Sequence, residues 1–308
     1  MSATRGFEMR PLLHETQRSL RASPVFALYG LVAVGYAAFF IAFMFGQMTW
    51  RVDIFLPGAF GQMAHGAAGP HRVHDFTYGF LVTTSVVGVL AQFRRPAKNV
   101  AGMVMALIPF AGLLLAVALS ADPVDAVRRN PLYLFAALAG VTALLHPTGR
   151  RFFASFRVSR VNWVSVALVG VAAVPLLSFA STNIGLQGTV GDDHDSLGHY
   201  GFMAAFSFTV IGVGLLASVR PDGWRLTAWV AGILPALLGL TSLVYADATS
   251  SLDLGWALAA IAWGAVFIAA AEVTKNAEGS TLLALPSTRK ATASRQPEPS
   301  AQHSTRAR

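Results

Sequence analysis

The twenty residues VAGMVMALIPFAGLLLAVAL, Val100 to Leu119, contain no charged side chain. A helix of that length spans about 30 Å, the thickness of a bilayer's hydrocarbon core. Backbone N–H and C=O groups in hydrocarbon must be paired within the protein, so a continuous apolar run of this kind reads as a transmembrane helix. Seven further apolar blocks stand near 25–45, 75–93, 131–147, 161–180, 197–219, 226–245 and 255–273. A membrane β-barrel is excluded, because its strands alternate apolar and polar residues and these blocks do not. The expectation is an all-α integral membrane protein with eight transmembrane helices.

Composition agrees. The 308 residues are 54% hydrophobic and only 12% charged, with mean hydropathy +0.55, where soluble domains carry roughly 25% charged residues. There is no cysteine, so disulfides, thiolate metal sites and cysteine nucleophiles are all excluded. Of the 23 Lys and Arg residues, Arg51, Arg72, Arg128 and Arg129 fall in one set of connections and the rest in the other or at the termini. The positive-inside rule therefore puts both termini in the cytoplasm. Asp53, Asp75, Asp122, Asp125, Asp192, Asp193, Asp195, Asp247 and Asp253 all fall on the outer side. The net charge of +8 then faces the anionic inner leaflet, which accounts for it without nucleic acid. The partner is the lipid bilayer. Lysine occurs only at 98, 275 and 290; that bias toward arginine hints at a GC-rich bacterial genome, and so at a bacterial cytoplasmic membrane.

Four segments follow. Residues 1–24 read as a basic cytoplasmic segment and not as a removable signal peptide, because the apolar run after them is too long. Residues 25–147 and 148–273 each hold four helices. Residues 274–308 form a cytoplasmic tail that turns rich in Ser, Thr, Pro and Arg, a composition that cannot bury a core and is expected to be disordered.

The two four-helix segments share landmarks. His74 and His199 lie 125 residues apart, as do Arg95-Pro96 and Arg220-Pro221, and Ala121-Asp122 and Ala246-Asp247. Pro109 and Pro235, each inside a helix, differ by 126. The chain thus reads as two tandem repeats. Four helices per repeat is an even number, so both insert the same way up and are parallel. Small residues (Gly140, Gly212, Gly214 and Gly255 among them) are the expected helix contacts.

The two repeats place histidines and aspartates at matching helix mouths: His71, His74 and Asp75 in the first, and Asp192, Asp193, His194, Asp195 and His199 in the second. His65 lies on the same side. Spacings of three and four put His71, His74 and Tyr78 on one helix face. Packing about a pseudo-twofold axis would make His74 and His199 symmetry mates. Three chemistries use such a set. A divalent metal, zinc or copper, would take His71, His74, His194 and His199 with Asp75, Asp193 or Asp195 as ligand or supporting carboxylate. A haem b would take His74 and His199 as its two axial ligands. Proton or cation handling would use the imidazoles directly. Against all three stands the plain alternative that polar residues at a helix mouth face water and cap the helix, with Asp195 or Ser196 capping the sixth.

The H-x-x-H-D opening at His71–Asp75, the Ala121-Asp122 ending and the Gly255-Trp256 start of the last helix together resemble a family of bacterial multi-pass membrane proteins of unassigned function. The likeness covers mainly helices two to four and six to eight and implies no activity. The parallel plan is also similar to that of haem A synthases, but the fourth and eighth helices here lack outer-end histidines, and that function is not carried over. The sequence leads to a binding or redox protein with an extracytoplasmic His/Asp site for a metal or haem. A small-molecule or lipid transporter and a non-catalytic structural or regulatory membrane subunit are the competing classes.

Overall fold

A computed structural model describes residues 24–48, 71–94, 98–124, 140–146, 154 and 156–283, with the side chains of 40–48 and of 276–283 left out. Its helices are α1 (Pro24–Met48), α2 (Arg72–Leu90, prolonged by a 3-10 turn Ala91–Phe93), α3 (Val100–Ala118), α4 (Trp163–Leu186), the single turn α5 (Asp193–Ser196), α6 (His199–Ser218), α7 (Trp224–Val244) and α8 (Leu254–Leu283). No strand occurs among the described residues. Six helices, α2, α3, α4, α6, α7 and α8, are long and apolar enough to cross a membrane. The chain is a helical, multi-pass membrane protein. Of the two other expected spans, the first is helical as α1, apolar over its described part Pro24–Phe39. The fourth, 131–147, lies outside the described residues except for a helical stretch at 140–144 and the residues 145–146 after it.

The central helices are α2, α3, α6 and α7. The most apolar stretch of α6 is 72% buried and that of α3 67%, against 17% for α4 and 22% for α8. Peripheral helices turn their apolar side chains outward, as lipid contact requires: Val171, Val174, Leu258 and Val266 are exposed. A core of Leu81, Val82, Phe110, Met203, Phe206, Leu234 and Leu238 joins the four central helices.

Without a hydrophobic drive between helices in lipid, close backbone approach is what holds them together. A Cβ on Gly88 would meet the Gly102 carbonyl and Ala106 across the α2–α3 contact, and one on Gly112 would meet the Ala205 carbonyl across α3–α6. Gly232 and Gly264 face each other's carbonyls across α7–α8. Of the expected contact glycines, Gly212 meets Ile108 and Gly214 meets Val169, whereas among the described residues a Cβ on Gly140 meets nothing and one on Gly255 meets only the Asp253 side chain. Polar side chains add cross-helix bonds: Tyr29 donates to Val89 O (2.9 Å), Ser85 to Ala106 O (2.9 Å) and Trp263 Nε1 to Leu168 O (2.9 Å).

Two expectations change. Asp195 and Ser196 do not cap the sixth helix; they belong to α5, and Gly198, with φ +71°, turns the chain from α5 into α6. A left-handed residue at that point suits glycine because it has no Cβ to clash. The last helix also runs on to Leu283, ten residues past the expected boundary at 273. Its turns from Glu272 onward belong to a second unit, Glu272–Arg308, and the first unit is Met1–Ala271.

Candidate functional site

Four imidazoles meet where α2 and α6 begin. His71 flanks the first turn of α2, His74 lies one turn further in, His194 sits in α5 and His199 is the first residue of α6. Their ring centroids are 4.1 Å apart for His71–His194, 4.8 Å for His74–His194, 5.3 Å for His71–His199, 5.4 Å for His74–His199 and 5.9 Å for His194–His199. The Nδ1 atoms of His71 and His199 are 3.3 Å apart, so one donates and the other accepts. The structure therefore brings together the four histidines expected as metal ligands.

The histidine most deeply placed is the least satisfied. His74 is 0% exposed, and both its ring nitrogens are buried without a hydrogen-bond partner. His194 is also buried, and its Nε2 has no partner. Buried polar groups are paired in the great majority of cases, and exceptions point to strain, a functional role or an absent ion or water.

The carboxylates divide by task. Asp195 is buried and holds the loop before α6: its Oδ1 accepts from Gln187 Nε2 (2.6 Å) and Gly188 N (2.6 Å), and its Oδ2 from Gly191 N (3.2 Å). Gln187 Oε1 in turn accepts from Gly201 N (3.2 Å). Asp192 caps α5 by accepting from Asp195 N (2.8 Å), while its Oδ2 accepts from the Tyr200 hydroxyl (2.8 Å) and lies 3.3 Å from His194 Nδ1. Burial pushes the Asp192 carboxyl up, but these hydrogen bonds and the adjacent imidazole outweigh that and hold it below its ordinary value. Asp193 is exposed. Asp75 is half-buried, one residue past His74 and so turned about 100° around the helix from it. His65 lies outside the described residues.

Sequence reasoning chose Asp193 and passed over Asp192 and Tyr200, which hold His194. The available signal was the spacing Asp192, His194, Tyr200 across Gly198, a glycine that permits the return of the chain.

Among the described residues no group of three or more His, Asp or Glu side chains is already disposed to hold a metal ion. The rings have gathered, but their nitrogens do not converge on one point. The residues do not fit haem. The macrocycle would lie between its two axial imidazoles and extend far to each side, and that space is filled. The His194 ring stands 4.8 Å from His74 and 5.9 Å from His199, and Tyr200 stands 5.7 Å from His74.

At the opposite end of α2, His146 Nε2 lies 3.0 Å from Gln92 Oε1, and Gln92 Nε2 donates to Gly88 O (2.9 Å) and Asn99 O (3.2 Å). This set closes backbone carbonyls at a helix end and has the character of a structural lock.

Comparison of the chain with protein-family models, with curated proteins and with solved structures finds no match.

Proposed function

We propose that this is a bacterial cytoplasmic-membrane protein, with both termini inside, that binds a zinc or copper ion on its outer face through His71, His74, His194 and His199. The observation that carries the reading is His74, fully buried with two unpartnered ring nitrogens among three other imidazoles. An unsatisfied buried polar group costs about 1–3 kcal/mol. A bound ion repays that cost, and imidazole suits zinc and copper among the biological cations. Ligation requires rotation of the rings from their ligand-free packing; His199, half-buried at the first residue of its helix, is the least enclosed of the four. A tandem parallel arrangement of two four-helix repeats belongs to the same proposal, since it would explain why two matching helices begin at one depth with a histidine in the first turn.

The test is metal content of detergent-purified protein, followed by calorimetric titration with zinc and with copper. One ion per chain is expected, with binding lost in His74→Ala. Protein that arrives metal-free and gives no heat with either ion sinks the proposal.

The direct Nδ1–Nδ1 contact of His71 and His199 favours a second reading, proton handling by the imidazoles themselves. It is distinguished by proton uptake in reconstituted vesicles that depends on His71 and His199 and needs no metal.

A further inference from the structure

We infer that Asp192 is the positioning residue of this site, that it presents His194 Nε2 as a ligand, and that the donor set is imidazole only, selecting zinc and copper over magnesium and calcium. This rests on the metal reading above and specifies its ligand chemistry.

A neutral imidazole carries one N–H and one lone pair, and whichever nitrogen donates a hydrogen bond leaves the other free to ligate. The carboxylate Oδ2 of Asp192 lies 3.3 Å from His194 Nδ1. That contact places the proton on Nδ1 and leaves the lone pair on Nε2, the buried atom without a partner. Metal-bound histidines characteristically donate their other N–H to a carboxylate in this way. The carboxylate is itself fixed: the Tyr200 hydroxyl donates to the same oxygen at 2.8 Å and Asp195 N to the other at 2.8 Å. The whole device lies within residues 192–200, so its geometry is set locally and carried on α6.

Selectivity follows from where the carboxylate oxygens are spent. Both oxygens of Asp195 are engaged by Gln187, Gly188 and Gly191. Those of Asp192 are engaged by Asp195, Tyr200 and His194. Calcium takes six to eight oxygens and magnesium a near-ideal octahedron of them. Four imidazoles supply nitrogen, the donor for borderline ions.

The experiment uses the full chain in detergent and measures affinity for Zn²⁺, Cu²⁺, Mg²⁺ and Ca²⁺ in wild type, Asp192→Asn, Tyr200→Phe, His194→Gln and the Asp192→Asn/His194→Gln double variant. Asparagine caps a helix as well as aspartate does, so Asp192→Asn leaves α5 capped through its oxygen and puts an NH2 donor in place of the acceptor oxygen facing His194 and Tyr200. Expected are a 10–100-fold loss of zinc or copper affinity in Asp192→Asn, a smaller loss in Tyr200→Phe, and no additional loss when Asp192→Asn is added to His194→Gln. A structural role would not give that last result, since a loop defect would weaken the double variant further. Wild type that binds neither zinc nor copper removes the metal reading and this inference with it. Wild type that binds, with Asp192→Asn equally tight or equally harmful in both backgrounds, overturns the positioning role and leaves the metal reading standing. Magnesium or calcium binding comparable to zinc overturns the imidazole-only donor set.

Discussion

At the residue scale the informative group is His74, because it is placed where a histidine should not be unless something answers its two nitrogens. A leucine there fills a similar volume and brings no polar atom. Replacing an unsatisfied polar group by an apolar one is neutral or stabilising. His74→Leu is therefore expected to raise the stability of the metal-free protein by about 1 kcal/mol while abolishing zinc or copper binding, a trade between stability and function. Thermal unfolding without metal and calorimetry with it check the two halves; a clear loss of metal-free stability would make His74 a packing residue. Asp192 makes a prediction in pH. Its carboxyl is held below the ordinary value, so its ionised form stabilises the fold fully above the ordinary carboxylate range, and that contribution fades as pH falls through the lowered value. The melting difference between wild type and Asp192→Asn, measured without metal, should stay constant near neutrality, begin to close as the pH drops below about 4, and vanish below the lowered value.

At the element scale the spans α2, α3, α4, α6, α7 and α8 were legible because uncharged runs of about twenty residues leave a chain no other way to pair its backbone in lipid. Which small residues touch was not legible. Gly140 and Gly255 are among the expected contacts and Gly232 and Gly264 are not, yet of these four only the last two meet across a helix pair among the described residues. Gly232→Val is expected to destabilise the protein by about 1–3 kcal/mol through overpacking against Gly264 and Ile268, and Gly170→Val, on an exposed face of α4, to add no clash, with unfolding in a mild detergent as the measurement. The histidines could be read as a set because two matching helices carried them. The work of Asp192 and Asp195 could not, because it depends on the turn α5 and the left-handed Gly198, which fold a segment that hydropathy alone assigns to a helix start. Asp195→Ala removes the acceptor for Gln187, Gly188 and Gly191. Hydrogen bonds to a charged group contribute about 1.5–3 kcal/mol each, so this loop should open, detectable as new proteolytic cleavage between 187 and 198.

At the scale of the whole molecule the question is which side of the membrane the imidazoles face. Every central helix contributes to the answer, since α2 and α6 both start at the histidine end and α3 and α7 both start at the other. Among the described residues Arg94, Arg160, Arg220 and Arg225 lie at that other end and Arg72 at the histidine end; Arg220 is buried there, its guanidinium 4.6 Å from the Trp224 ring. Cytoplasmic loops hold the Lys and Arg excess, so the proposed orientation has the histidine end facing outward. The chain offers a clean way to test this, because it contains no cysteine and a single introduced thiol reports its own location without background. Ser196 is exposed beside the imidazoles and Asp222 is exposed in the turn between α6 and α7, so neither substitution disturbs a buried contact. Ser196→Cys should be modified by a membrane-impermeant maleimide in intact cells, and Asp222→Cys only after the membrane is opened. The reverse pattern would put the site in the cytoplasm, where an imidazole cluster would meet the buffered metal pool of the cell instead of ions arriving from outside.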